Sequence, residues 1–198
     1  MPNELTTPWA DREELRQLLL TARESCTRDF LLIALLGLNG LRASEAIGAA
    51  VPDLGASGGH RTLRVTRKGS KAGIVPLALP VVAAVDDFLE GREAGPLIAR
   101  LNRAGAVAEP FLGISRQAVY DRVQKLAREA GVNPALSPHS LRRSFVTISL
   151  QDGVPLHLVQ DAVGHSSPHT TMLYNRNRHN LDSNPTFKLA EGLLEGVS

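Results

Sequence analysis

Six residues of this 198-residue chain have the types and settings needed to handle a phosphate. His139 and Arg142 stand three apart in Ser137-Pro138-His139-Ser140-Leu141-Arg142-Arg143-Ser144-Phe145, so a helix entered at Ser137-Pro138 puts both on one face. The apolar run from Phe145 to Leu150 carries that helix into a core. A basic pair aimed outward from a buried helix calls for an anion. Arg42 follows Gly37-Leu38-Asn39-Gly40-Leu41, Lys68 opens the turn Lys68-Gly69-Ser70-Lys71, and His165 follows Gly164. Tyr174, one of two tyrosines, lies nine residues beyond His165. Arginine offers a planar, permanently charged fork for phosphate oxygens. Histidine exchanges protons near neutrality. A tyrosine hydroxyl titrates near pH ~10, so it becomes a nucleophile only with a cationic field and a proton acceptor nearby. Taken singly, each residue has a plainer account: Arg42 as a surface helix residue, Lys68 as a turn lysine, His139 as a cap, Tyr174 as a half-buried packing residue. The ordered set carries the argument.

These residues sit at turns and helix starts, so the elements between them must bring them together. Asp11-Arg12-Glu13-Glu14 starts a helix with Leu15, Leu18, Leu19 and Leu20 as its apolar face. A second helix, Arg28 to about Leu38, is almost wholly apolar and must be buried on most sides. A third begins at Arg42. Arg61 to Thr66 alternates as a strand, and Gly73 to Leu77 returns from the turn, with Pro76 confining it to an edge or an end. Val51 to Leu54 is expected to add a third short strand. Pro80 to Glu90 is helical through Val81, Val82, Val85 and Leu89, and Glu93 to Leu112 is loose. Ser115 caps a helix over Arg116 to Ala130, closed by Gly131. Val154 to Val163 is a further helix, stopped by Gly164. A short helix bears Tyr174, and a last one runs from Pro185 through Phe187, Leu189, Leu193 and Leu194. The expected class is α+β and predominantly helical, with a small three-stranded antiparallel sheet. Residues 1–198 are expected to form a single domain: a core over 10–180 and a C-terminal tail and helix over 181–198.

With 43% hydrophobic and 21% charged residues, the chain is composed to fold around one core. Cys26 stands alone, which excludes an internal disulfide. No apolar run approaches a membrane span and no secretion signal opens the chain, so a cytoplasmic protein is expected. Net charge is only +2, but its distribution is uneven. Leu54 to Val85 holds no carboxylate, while Arg61, Arg64, Arg67, Lys68 and Lys71 crowd one hairpin. Such a stretch suits an anionic partner, or simply a solvated basic hairpin.

Four boxes in order make a specific resemblance to the catalytic domain of the tyrosine recombinases, the phage-integrase family of site-specific DNA recombinases. Gly40-Leu41-Arg42-Ala43-Ser44-Glu45 resembles the family's first arginine box. Lys68 to Lys71, followed by Ile74-Val75-Pro76-Leu77, resembles its hairpin lysine segment. His139-Ser140-Leu141-Arg142 matches its H-x-x-R box. Leu158 through Gly164-His165-Ser166 to Tyr174 matches the box of the second histidine and the tyrosine. The likeness spans about residues 10 to 195. It implies that Tyr174 attacks a DNA phosphodiester, leaving a 3′-phosphotyrosine and a free 5′-hydroxyl, and that another 5′-hydroxyl reverses the attack. Arg42 and Arg142 would hold the non-bridging oxygens, Lys68 protonate the leaving oxygen and His139 take the tyrosine's proton. His165 would bond the phosphate or support the nucleophile, and Glu45 would orient the site. Neither a metal nor another cofactor is implied, and no ATP.

Arg61, Arg64, Arg67, Lys71, Ser115, Arg116, Arg143 and Arg122 are candidate contacts to the DNA backbone, whose effect would be affinity with a strong salt dependence. Tyr120, beside Val119 and Val123, reads as packing. The expected partner is a double-stranded DNA recombination site, bound by a homo-oligomer, a tetramer on DNA, from a monomer compatible with dilute solution. The setting is a bacterial or phage-encoded enzyme at the nucleoid. The same chemistry is shared by type IB topoisomerases and telomere resolvases, and a catalytically inactive DNA-binding domain is a further alternative. Most family members carry a helical domain ahead of the catalytic one; with the first box at Arg42 there is no room for it, so DNA holding and site choice are expected to be incomplete.

Overall fold

Residues 7–67, 69–108 and 110–164 are described by a computed structural model of the chain. Helix α1 (Arg12–Ser25) starts where the acids predict: the Asp11 side chain accepts from the Glu14 N–H, and Glu14 returns the bond to the Asp11 N–H. Leu15, Leu18 and Ala22 are its buried stripe, whereas Leu20 faces solvent. Helix α2 (Thr27–Gly37) is the axis of the domain. Leu31, Leu32, Ile33, Ala34, Leu35 and Leu36 are all fully buried. Each large side chain among them contributes ~1.5–3 kcal/mol of transfer free energy. One side of α2 meets α1. Helix α3 (Ala43–Gly48) follows after a sharp reversal.

Val51–Asp53, expected to open a strand, is instead a 3₁₀ turn, because Pro52 fixes its backbone and Asp53 accepts the Ala50 N–H. The strand begins one residue later. β1 (Leu54–Ser57), β2 (His60–Thr66) and β3 (Ala72–Pro76) form an antiparallel sheet in chain order. Leu63 pairs with Leu54 on one side and Val75 on the other, and all three face the helices. Pro76 closes the edge strand β3, where its missing N–H breaks no ladder.

Helix α4 (Leu79–Leu89) packs on α2 through Val81, Ala84, Val85 and Phe88. The loose stretch that follows is less peripheral than its composition suggests: Leu97, Ile98 and Ala99 are fully buried, and Ala99 bridges to Gly113. Helix α5 (Arg116–Glu129) is capped by Ser115, helix α6 (Pro138–Gln151) by Ser137, and helix α7 (Leu156–Val163) ends at Gly164. α6 packs against α1, α2, α5 and α7, so it joins the main core to the small apolar cluster of Val146, Leu150, Val159 and Val163. Among the described residues no helix is long and apolar enough to cross a membrane. The expected helices bearing Tyr174 and following Pro185, and the tail 181–198, lie outside the described residues.

Candidate active site

Gly40 makes the reversal that delivers the first arginine. It adopts φ +62° just after α2, and the Leu41 N–H reaches back to the Leu35 carbonyl at 3.0 Å. Leu41, 1% exposed, then anchors the chain in the core. Arg42 follows as the residue capping α3. Glu45 grips it twice: one carboxylate oxygen accepts the Arg42 backbone N–H at 2.7 Å, the other accepts Nη1 of the same residue at 2.7 Å. Glu45 is itself 3% exposed and lies 3.8 Å from Nη1 of Arg142. One buried carboxylate thus stands between the two arginines and holds their guanidinium groups in relation to each other.

Arg142 comes from the second turn of α6 and is only 4% exposed. Its Nη1 donates to the Gly40 carbonyl at 2.5 Å and its Nη2 to the Val163 carbonyl at 2.6 Å. A buried guanidinium needs such partners. Here they tie the end of α2, the end of α7 and the middle of α6 into one frame. His139, one turn earlier, is exposed at the start of α6, where the Ser137 hydroxyl accepts the Ser140 N–H and the positive end of the helix dipole lies.

These groups converge on one cleft of about 320 Å³. α3 contributes Arg42 and Ala43, α5 contributes Arg116 and Tyr120, and α6 contributes Ser137, Pro138, His139 and Arg142. Among the described residues three arginines and a histidine line it, and no carboxylate does. A cleft of that composition favours a multiply charged oxyanion, and Arg fits phosphate oxygens two at a time. Arg116, one of the candidate backbone contacts, lines this cleft. Tyr120 does not act as core packing: it is 40% exposed and faces the cleft, one turn from Arg116. The signal was available, since Val119 and Val123 claim the inner face of α5 and leave 116 and 120 on the outer one.

Other expected backbone contacts divide. Arg61 and Arg64 are exposed, paired with Asp86 at 3.5 Å and Asp53 at 3.2 Å, and Lys71 is exposed. Such exposed pairs contribute little to stability and leave the arginines accessible. Ser115 is used as the cap of α5, its Oγ accepting the Ala118 N–H at 3.1 Å. Three others are inward. Arg143 is buried, at 5% exposure, and its Nη1 donates to the Thr7 carbonyl, because the face of α6 beyond Arg142 is covered by the segment leading to α1. Ser144 on that face accepts the Ala10 N–H at 2.8 Å. Arg122 donates through Nε to the fully buried Asp29 at 2.8 Å, and Arg28 shares the same carboxylate. Burial alone would raise the carboxyl pKa of Asp29; hydrogen bonds from Arg122 and Arg28 outweigh it and hold the group below the usual range. Arg67 turns onto α7 rather than outward. Lys68, His165 and Tyr174 lie outside the described residues.

The cationic cleft, with the buried glutamate behind it, sits on a predominantly helical domain with a three-stranded antiparallel sheet. A model of the phage integrase family matches residues 8–180, and the chain belongs to that family. It is 37% identical over 156 residues to tyrosine recombinase XerC of Bifidobacterium longum (strain DJO10A), covering 74% of this chain and 42% of that protein. Against tyrosine recombinase XerD of Corynebacterium glutamicum it is 38% identical over 154 residues, covering 74% and 47%. The chain thus spans about half the length of the curated relatives it matches. Among solved structures, the XerH site-specific recombinase bound to difH substrate in a pre-cleavage complex superposes with a TM-score of 0.70 at 25% identity, covering 88% of this chain and 52% of that one. A lambda integrase dimer bound to a COC′ core site shares the fold, with a TM-score of 0.63 at 17% identity.

Proposed function

We propose that this chain is the catalytic part of a site-specific DNA recombinase that cuts and rejoins DNA through a tyrosine. The observation that carries the proposal is the convergence of Arg42, Arg142 and His139 on one cleft that no carboxylate lines among the described residues, with Glu45 behind them. The relatives that match it are recombinases, and the XerH and lambda integrase structures hold DNA.

In this reading the scissile phosphate enters the cleft between α3 and the start of α6. Arg42 and Arg142 take its non-bridging oxygens, and their charge is worth most when the pentacoordinate state adds negative charge there. Glu45 keeps both forks aimed before substrate arrives, so little reorganisation is needed during reaction. His139, exposed at the helix start, accepts the proton of the Tyr174 hydroxyl as its oxygen bonds to phosphorus. Lys68 gives a proton to the 5′-oxygen as that bond breaks. His165 bonds a phosphate oxygen. Arg116, Arg61, Arg64 and Lys71 add backbone contacts on the outer faces of α5 and the hairpin. The protein works as an oligomer on its DNA site, four copies for a two-duplex exchange, on bacterial or phage DNA. The topoisomerase, telomere-resolvase and inactive alternatives have no observation on their side that the recombinase reading lacks.

The test is covalent trapping. A pool of nicked duplex oligonucleotides of random sequence is incubated with the chain, and DNA that stays attached through detergent is recovered and sequenced. An adduct is expected at a defined phosphate, and Tyr174→Phe should abolish it while retaining binding. An adduct that persists in Tyr174→Phe removes Tyr174 as the nucleophile, and wild-type protein that binds DNA but never forms an adduct makes this a binding domain.

A further inference from the structure

The carbonyl groups that end α7 are taken up by arginines from elsewhere in the fold. Val163 O accepts from Arg142 Nη2 at 2.6 Å. The two before it are held by Arg67, whose Nη1 donates to Asp161 O at 2.8 Å and whose Nη2 donates to Ala162 O at 2.9 Å. The last carbonyls of a helix lack partners inside it and form the negative end of its dipole, so a guanidinium fork suits them in geometry and in charge. Hydrogen bonds from an ionised donor are also stronger than neutral ones.

Arg67 reaches α7 because it is still in register. Val65 pairs with Gly73 and Thr66 with Ala72, and the ladder runs one step further, with the Arg67 N–H donating to Lys71 O at 2.8 Å. Alternation therefore puts Arg67 on the inward face with Leu63 and Val65, not on the outward face with Arg64. On that face its sheet neighbour is Gly73, and the α7 residue it meets is Gly164. A Cβ added to either glycine would fall on the Arg67 side chain. The two glycines leave a slot, and the arginine fills it.

Lys68 follows Arg67 directly. We propose that Arg67 is a positioning residue for the reaction: by tying the end of the β2–β3 hairpin to the last turn of α7, it sets where the lysine loop leaves the sheet and hence the reach of Lys68. The inference rests on the general-acid reading of Lys68 given above. Consecutive Cα atoms are ~3.8 Å apart, so the next residue in the chain starts from wherever Arg67 is held. Without the tie, the outer end of the hairpin would be held by its own two strands, and a lone two-stranded ribbon is marginal in water. The step affected is the proton transfer from the Lys68 ammonium to the 5′-oxygen, concerted with loss of the P–O5′ bond and formation of the Tyr174 O–P bond.

The first measurement needs no DNA. Amide hydrogen exchange on the whole chain should rise in Arg67→Ala both in the last turn of α7 and at the hairpin end, with α1 and α2 unchanged; unchanged exchange in α7 overturns the tie. The second compares two duplexes carrying the site recovered by trapping, one with oxygen and one with sulfur at the bridging 5′-position. A thiol titrates near ~8.5, far below water or an alcohol, so sulfur departs without a proton donor where oxygen does not. Arg67→Ala should lose at least ~10-fold in single-turnover cleavage of the oxygen duplex, within the ~10²–10⁴ a general acid supplies. It should come back close to wild type on the sulfur duplex, as Lys68→Ala should. Gly73→Ala, which displaces the side chain without removing it, should behave like Arg67→Ala, and Arg67→Lys should lie between. Full oxygen cleavage by Arg67→Ala, or an equal loss on both duplexes, overturns the positioning role. Failure of sulfur to restore Lys68→Ala refutes Lys68 as the acid, and the proposal's lysine half with it, while the exchange result decides the tie separately.

Discussion

Replacing Gly40 by alanine tests the frame of the site at the point where three of its parts meet. Gly40 closes α2 with φ +62°, and its carbonyl accepts Arg142 Nη1 at 2.5 Å. Two costs add. The left-handed backbone disfavours any residue with a Cβ by ~1–2 kcal/mol. The new methyl would lie 2.5 Å from Cδ1 of Phe145 and 3.0 Å from Cγ1 of Val163, both in the small cluster between α6 and α7. Overpacking of that kind costs ~1–3 kcal/mol. The sum is ~2–5 kcal/mol, to be read as a lowered denaturation midpoint at constant slope in urea. A cycle with Phe145→Ala separates the two costs. With the ring gone, Gly40→Ala should cost little beyond the backbone part of ~1–2 kcal/mol, the contact with Val163 being the looser of the two. Gly40→Asn should show the opposite division, since asparagine tolerates the left-handed region but not the lack of room. A loss under ~1 kcal/mol, or the same loss with and without Phe145, would refute the packing argument. Cleavage should fall further than stability predicts, because the carbonyl that aims Arg142 moves with the backbone.

Two further outcomes follow from the buried carboxylates. Glu45→Gln keeps one oxygen where two are used, so it must release either the Arg42 N–H or the Arg42 guanidinium. A hydrogen bond to a charged group is worth ~1.5–3 kcal/mol, and thermal unfolding should show a loss of that size, with cleavage slowed while DNA binding persists; a variant as stable as wild type would remove Glu45 from the frame. Asp29→Asn leaves Arg122 and Arg28 facing a neutral amide, which should cost ~2–4 kcal/mol at neutral pH, below the full cost of breaking a buried pair because both arginines keep some exposure. The Asp29 carboxyl titrates lower in the fold than when unfolded, so its contribution is complete above pH ~4 and fades as acid brings pH through the lowered value. The gap between wild type and Asp29→Asn should therefore close in acid; a gap independent of pH would show that the charge does not matter.

Local rules made much of this chain legible. The Asp11–Glu14 box, the serine caps at 115 and 137, the Gly164 stop and the alternation of β2 lie within a few residues of what they specify, so spacing alone places α1, α5, α6, α7 and the hairpin. The same holds for Arg42 and His139, which sit at element starts and needed only those elements to form. Local rules failed where a neighbour distant in sequence decides. Leu97, Ile98 and Ala99 looked like loop because they lack periodicity, and they join the main core because backbone pairing to Ala49 and to Gly113, both distant in sequence, holds them there.

The basic residues show the division most sharply. Sequence by itself determined which positions could serve a phosphate, since charge, donor geometry and helix spacing are properties of the residue and its nearest neighbours. Only the tertiary structure decided which of them reach the cleft. Arg142 and Arg143 are adjacent and alike, yet a helix turns ~100° between them, so one lines the cleft and the other meets the Thr7 carbonyl. Arg122 is claimed by Asp29, and Arg67 by the end of α7, while Tyr120, with no partner in the core, is left facing the cleft. A buried charge must find a partner, and which partner lies within reach is set by how the helices pack.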